Sequence, residues 1–68
     1  MNYEMYLFSC LLKEYDEEFN ARPYDEQFEV IPHMYEQFRS SVYDDPNDNL
    51  YDCITLYLKN RYGNRFAF

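Results

Sequence analysis

One glycine, Gly63, is all that this 68-residue chain holds. That excludes the glycine-rich turns that cradle phosphates, G-x-x-x-x-G-K and G-x-G-x-x-G alike. A single histidine, His33, and two cysteines, Cys10 and Cys53, stand outside any CxxC or HxxxH spacing, so there is no zinc framework. Both cysteines fall among apolar neighbours in predicted helices, where a free thiol packs as a small hydrophobe. Ser9 and Cys10 have no paired base, and His33 beside Glu29 or Glu36 lacks a nucleophile to activate. No catalytic residue, metal or cofactor is assigned, and the chain is expected not to be an enzyme. Basic residues are also scarce: six Lys and Arg face thirteen Asp and Glu, a net charge of −7. Direct nucleic-acid binding needs a basic patch to replace phosphate counterions, so that function is excluded, as is attraction to an anionic membrane. The longest apolar run, Tyr6 to Leu12, is interrupted by Ser9 and is far shorter than the roughly 20 residues of a membrane span. It also lacks the basic start and cleavage site of a secretory signal, so a cytoplasmic protein is expected.

What the chain has instead is aromatic side chains, 22% of its residues, with nine Tyr and six Phe. Each ring can bury about 150–250 Å², which compensates for the small core of one domain spanning residues 1–68. Apolar spacing identifies helices. Met1, Met5, Phe8, Leu12, Tyr15 and Phe19 recur at intervals of four and three, predicting a first helix from Asn2 to about Asn20, with Asn2 as N-cap. It should stop before Pro23, because the residue preceding proline is pushed out of helical geometry. The stretch Pro23 to Ile31 reads as a short helix or turn, with a short extended piece as the alternative. Pro32 then suits the first turn of a second helix, His33 to Val42, on the seam Ile31, Tyr35, Phe38 and Val42. Asp45-Pro46 opens a third, Pro46 to Tyr62, with Leu50, Ile54, Tyr57 and Arg61 on one face and Gly63 as the left-handed stop. The expected fold class is therefore all-α, a small antiparallel three-helix bundle with a short extra helix or extended segment around residues 24–31. Asp45, Asn47 and Asn49 imitate the start of a calcium loop, but Leu50 and Leu56 stand where that loop needs Gly and a bidentate Glu. They read as a helix start.

Charge placement is the functional signal. Glu14, Asp16, Glu17 and Glu18 crowd the end of the predicted first helix, where the dipole is already negative. Asp25, Glu26 and Glu29 follow, and Asp44 and Asp45 come later. Local violations of this kind collect at functional sites, and a line of carboxylates on a helix can imitate the negative charge of a nucleic-acid strand. Tyr3, Tyr6, Tyr24, Tyr43, Tyr51 and Tyr62 fall off the core seams. Of these, Tyr24 and Tyr43 sit among the carboxylates as contact anchors, able to offer hydrogen bonds and cation–π contacts to Arg or Lys.

Small, strongly acidic, Tyr-rich helical chains without enzymatic residues resemble the inhibitors encoded by phages, plasmids and transposons. These include antirestriction and anti-CRISPR proteins, several of which imitate DNA. The stretch Asp48-Asn49-Leu50-Tyr51-Asp52 through Tyr57 looks like the acidic-aromatic helical segments of transposon antirestriction proteins. The resemblance implies a non-enzymatic inhibitor acting in the host cytoplasm, with a basic, nucleic-acid-binding protein as its partner. It carries over no individual site residue. The alternative is a helical interaction or oligomerisation module, a homodimer through the aromatic surface around Tyr6, Tyr51, Phe66 and Phe68.

Overall fold

The computed structural model describes residues 2–63, and over them the chain is all-helical, with four helices in the order α1 (Tyr3–Tyr15), α2 (Glu17–Ala21), α3 (Tyr24–Arg39) and α4 (Leu50–Tyr62). Met1, Phe66 and Phe68, named above for the seam and the tail, lie outside the described residues. None of the described helices is long and apolar enough to cross a membrane.

The predicted first helix is two helices. Asn2 caps α1, its side chain accepting from the Met5 N–H at 2.8 Å. Asp16 then leaves helical geometry at φ −116° and ψ 98°. Its N–H closes α1 onto the Leu12 carbonyl at 2.8 Å, and its carboxylate opens α2 by accepting from the Phe19 N–H at 3.0 Å. The break corrects the expectation of an acidic helix C-terminus. The last turn of α1 keeps Glu14 beside Lys13, whereas Glu17 and Glu18 occupy the first turn of α2, where the dipole favours negative charge. A continuous helix would have held these carboxylates against its own field. Phe19, swung inward by the turn, is 2% exposed.

The second correction lies at Pro32. The chain does not restart there: α3 runs unbroken from Tyr24 to Arg39 with Pro32 inside it. A proline in a helix interior removes one hydrogen bond and costs about 3 kcal/mol. What offsets it is burial on one stripe, Gln27 and Ile31 before the proline, Tyr35 and Phe38 after it. An extended piece or a break at residue 31 would pull half of these side chains out of the core. At the other end α3 stops at Arg39, with Ser40 as C-cap. Val42, expected on the seam, is therefore 91% exposed.

The third correction concerns the start of α4. Asp45 does not cap it. Its carboxylate accepts from the Asn47 N–H at 2.9 Å and closes a turn, leaving Asn49 to cap α4 through the Tyr51 and Asp52 N–H groups at 2.8 and 3.3 Å. Gly63 ends α4 at φ 70°, a conformation that glycine adopts without strain.

α1 packs against α2, α3 and α4. At its centre Phe8 is fully buried, with its ring centroid 5.7 Å from that of Tyr35, 5.8 Å from Phe38 and 6.4 Å from Tyr57. Phe38 and Tyr57 close the cluster edge to face at 5.3 Å. Truncating such a ring costs about 3–5 kcal/mol. Since marginal domains hold roughly 0.05–0.15 kcal/mol per residue, this one cluster rivals the stability of the whole chain. Cys53 is buried beside it, whereas Cys10, expected to be buried, is exposed on the outer stripe of α1 with Tyr3 and Tyr6. Both thiols are free.

Gln27 is buried, and its side-chain N–H₂ group lies 3.2 Å from the Phe19 carbonyl, 3.4 Å from that of Asn20 and 2.8 Å from that of Arg22. It satisfies the carbonyl end of α2 from the first turns of α3. Gln27→Glu keeps the shape but turns a donor into an acceptor facing three carbonyls. Urea unfolding should show a loss of about 2–4 kcal/mol at pH 7. The carboxyl held in that site has a raised pKa, so the loss should shrink as pH falls and the group protonates.

Candidate protein-binding surface

The structure separates the acidic residues singled out by the sequence into five places. Asp16 is a structural group: besides capping α2 it accepts from the Tyr62 hydroxyl at 2.9 Å, tying the hinge to the end of α4. Glu14 is exposed on α1. Glu17 and Glu18 are exposed on α2, and Glu18 lines an open hollow of about 220 Å³ together with Asp16, Arg22, His33 and Arg61.

Asp44 and Asp45 border a second hollow, of about 340 Å³, together with Glu4, Asp48, Arg39 and Tyr35. Asp44 accepts from the Arg39 Nε–H at 2.8 Å, while Arg39 Nη1 lies 3.6 Å from Glu4 and 3.4 Å from the Tyr35 hydroxyl. Tyr35 in turn donates to Glu4. These groups are one network joining the start of α1 to the end of α3 and the following loop. Burial pushes the Tyr35 hydroxyl up, with the Glu4 contact adding to it and Arg39 opposing. The bonds to Tyr35 and Asp44 hold Arg39 firmly charged. Among the described residues no group of three or more His, Cys, Asp or Glu is placed to hold a metal ion.

Asp25, Glu26 and Glu29 do come together. They are exposed on α3, and the helix that continues through Pro32 adds Glu36, which the sequence reading left out of the surface. At 100° per residue, Asp25, Glu29 and Glu36 fall within about 40° of arc, with Glu26 beside them. The stripe rises roughly 16 Å from Asp25 to Glu36, with Asp25, Glu26 and Glu29 within about the first 6 Å and Glu36 about 10 Å beyond them. No Lys or Arg occurs between Pro23 and Phe38; Arg39, in the last turn of α3, comes within about 60° of Glu36 and is paired with Glu4 and Asp44.

The two tyrosines expected to act as anchors differ. Tyr24 is 72% exposed at the start of the acidic stripe, with the Lys13 ammonium 5.5 Å from its ring centroid. Tyr43 packs edge to face on Tyr57 at 6.3 Å and closes the core instead. Tyr3, Tyr6 and Tyr51 are exposed, as their positions off the seams suggest, and Phe28 joins them at 59% exposure.

Comparison with protein-family models, with curated proteins and with solved structures finds no match. The functional reading therefore stands on geometry and charge.

Three part-buried tyrosine hydroxyls give the fold an alkaline limit. Tyr62 is pushed above its ordinary value of 10.0, first by burial, then by its bond to Asp16, with Arg61 opposing. Tyr15 and Tyr35 are raised as well, burial again first. Above pH 10 the unfolded chain releases protons that the native state retains. Stability is thus fully present below about pH 10 and falls as pH rises through the folded values. Urea midpoints should drop steeply on this limb. Tyr62→Phe should flatten the drop while lowering stability by about 1 kcal/mol at neutral pH.

Proposed function

We propose that this chain is a non-enzymatic inhibitor of the kind that phages and mobile elements encode. It binds a basic, nucleic-acid-handling host defence protein in the host cytoplasm, through an acidic surface centred on α3. The observation that carries this reading is the stripe Asp25, Glu26, Glu29 and Glu36, exposed and without an interleaved Lys or Arg. One strand of duplex DNA presents a charge about every 3.4 Å of axis. Asp25 and Glu29 on one face of α3 lie about 6 Å apart along the axis and Glu36 about 10 Å further on, a sparser line of negative charge that a basic groove can still receive in place of phosphates. In this reading the three long helices form the small antiparallel three-helix bundle suggested by the sequence, with α1 in the middle and the outer face of α3 free for the partner. The net charge of −7 adds long-range steering, which makes association fast and salt-sensitive.

A second reading, an interaction or oligomerisation module without mimicry, has the exposed rings of Tyr6 and Tyr51 in its favour. It requires affinity that barely changes with salt.

The test is capture from a host lysate at low and high salt, using the wild type and the variant Asp25→Lys/Glu29→Lys/Glu36→Lys, with helicity checked by circular dichroism. The wild type should retain a protein that added nucleic acid displaces, and should lose it at high salt. The triple variant should bind that protein at least about tenfold more weakly. Undiminished capture by the folded triple variant would show that α3 is not the contact surface.

A further inference from the structure

The same helix that carries the acidic stripe forms one wall of an apolar groove. Between α1 and α3 lies a hollow of about 180 Å³, lined by Tyr6, Ser9 and Lys13 on one side and Tyr24, Gln27, Phe28 and Ile31 on the other. Three of these rings are largely in water: Tyr6 is 60% exposed, Tyr24 72% and Phe28 59%. The Lys13 stem bridges the two walls, with its ammonium over the Tyr24 ring.

Pro32 adds a backbone feature to the lip of this groove. Proline has no N–H, so the Phe28 carbonyl, four residues earlier in α3, receives no hydrogen bond from the helix ladder at that step. Going round α3 from Phe28, this carbonyl and Pro32 come about 40° on, Asp25 about 60° and Glu29 about 100°. An exposed ring, a carbonyl without its ladder donor and two carboxylates therefore succeed one another across the edge of the groove.

Each of these groups seeks the same chemistry. A guanidinium stacks on an aromatic face, donates from a planar fork to a carbonyl or a carboxylate, and sheds its water more readily than an ammonium. The apolar floor at Ile31 and Phe28 requires aliphatic side chains beside that cation. A channel between two helices takes a third helix that presents both on one face. A second copy of this chain is the wrong occupant, because it would bring −7 against −7. We propose that the α1–α3 groove docks an amphipathic, arginine-bearing helix of a basic protein, with the arginine crossing from Phe28 to Asp25 and Glu29. The proposal rests on the reading of α3 as the partner-binding face and specifies what the partner must present.

Synthetic helical peptides of equal length and charge test it: one with a Leu/Arg amphipathic pattern, one with Leu/Lys, and one with Ala/Arg that lacks an apolar face. Binding is read by fluorescence anisotropy, and the site by amide chemical shifts of the labelled protein. The Leu/Arg peptide should bind most tightly and move the amides of Tyr6, Tyr24 and Phe28. Phe28→Ala and Tyr6→Ala should each weaken it by about fivefold or more, and Phe28→Leu should recover the floor but not the ring contact. Asp25→Asn/Glu29→Gln should weaken it by a similar factor. Equal binding of the Leu/Arg and Ala/Arg peptides, with no effect of Phe28→Ala, overturns the groove while leaving the acidic face intact. Failure of every peptide to bind, or sedimentation showing a dimer that buries Tyr6 and Phe28, overturns it too. The acidic-face reading fails separately, through the capture experiment with the charge-reversed α3.

Discussion

The turn at Asp16 decides where the other acidic side chains of the N-terminal half can go. One carboxylate accepts from the Phe19 N–H and from the Tyr62 hydroxyl, while the N–H of the same residue closes α1. Because the chain changes direction there, the crowded sequence Glu14 to Glu18 is divided, leaving Glu14 in the last turn of α1 and moving Glu17 and Glu18 to the next helix. Glu17 and Glu18 begin a helix instead, and the field of that helix stabilises them. The turn also delivers Phe19 to the core, so an electrostatic solution and an apolar one coincide in a single residue's backbone geometry.

Around that hinge the packing is aromatic more than aliphatic. Phe8 meets rings from α3 and α4 at once, which lets a 68-residue chain organise its helices around one buried contact. Two of the core tyrosines, Tyr35 and Tyr57, keep part of their ring in this cluster, and the Tyr35 hydroxyl reaches out to Glu4 and Arg39 at the surface. The Arg39 pairs with Glu4 and Asp44 are half exposed, so each contributes little stability by itself. Their effect is to order the loop that follows α3.

The helical class and most of the core were legible from spacing alone: Phe8, Leu12, Phe19, Tyr35, Phe38, Ile54 and Tyr57 all lie where the four-and-three intervals put them, and all are buried. What the pattern could not show is which of two local rules prevails. Pro32 signals a helix start by local geometry, yet the stripe Gln27, Ile31, Tyr35 and Phe38 at intervals of four, four and three gains more from continuity than the proline costs. Asp45 and Asn49 are both good caps. Only the loop's own hydrogen bonds assign Asp45 to a turn and Asn49 to the helix. Glu36 was missed for the same reason as the unbroken α3: a helix cut at residue 32 cannot place it in line with Asp25 and Glu29. Gln27 could have been found, since it begins the buried stripe and a polar side chain on such a stripe needs partners.

The fold measures 33 × 32 × 16 Å along its principal axes, and packed helices lie about 8–10 Å apart axis to axis. It is a plate about two helices thick and half as deep as it is wide. A sphere lodged in a cleft touches it with a cap of its surface, whereas a plate meets both walls at once. A standard interface takes about 800 Å² from each partner, roughly a sixth of the 4871 Å² that this chain exposes. Entered edge-on, such a body can fill a narrow groove and still keep more than one face in contact, a form of occupancy set by thickness as much as by charge.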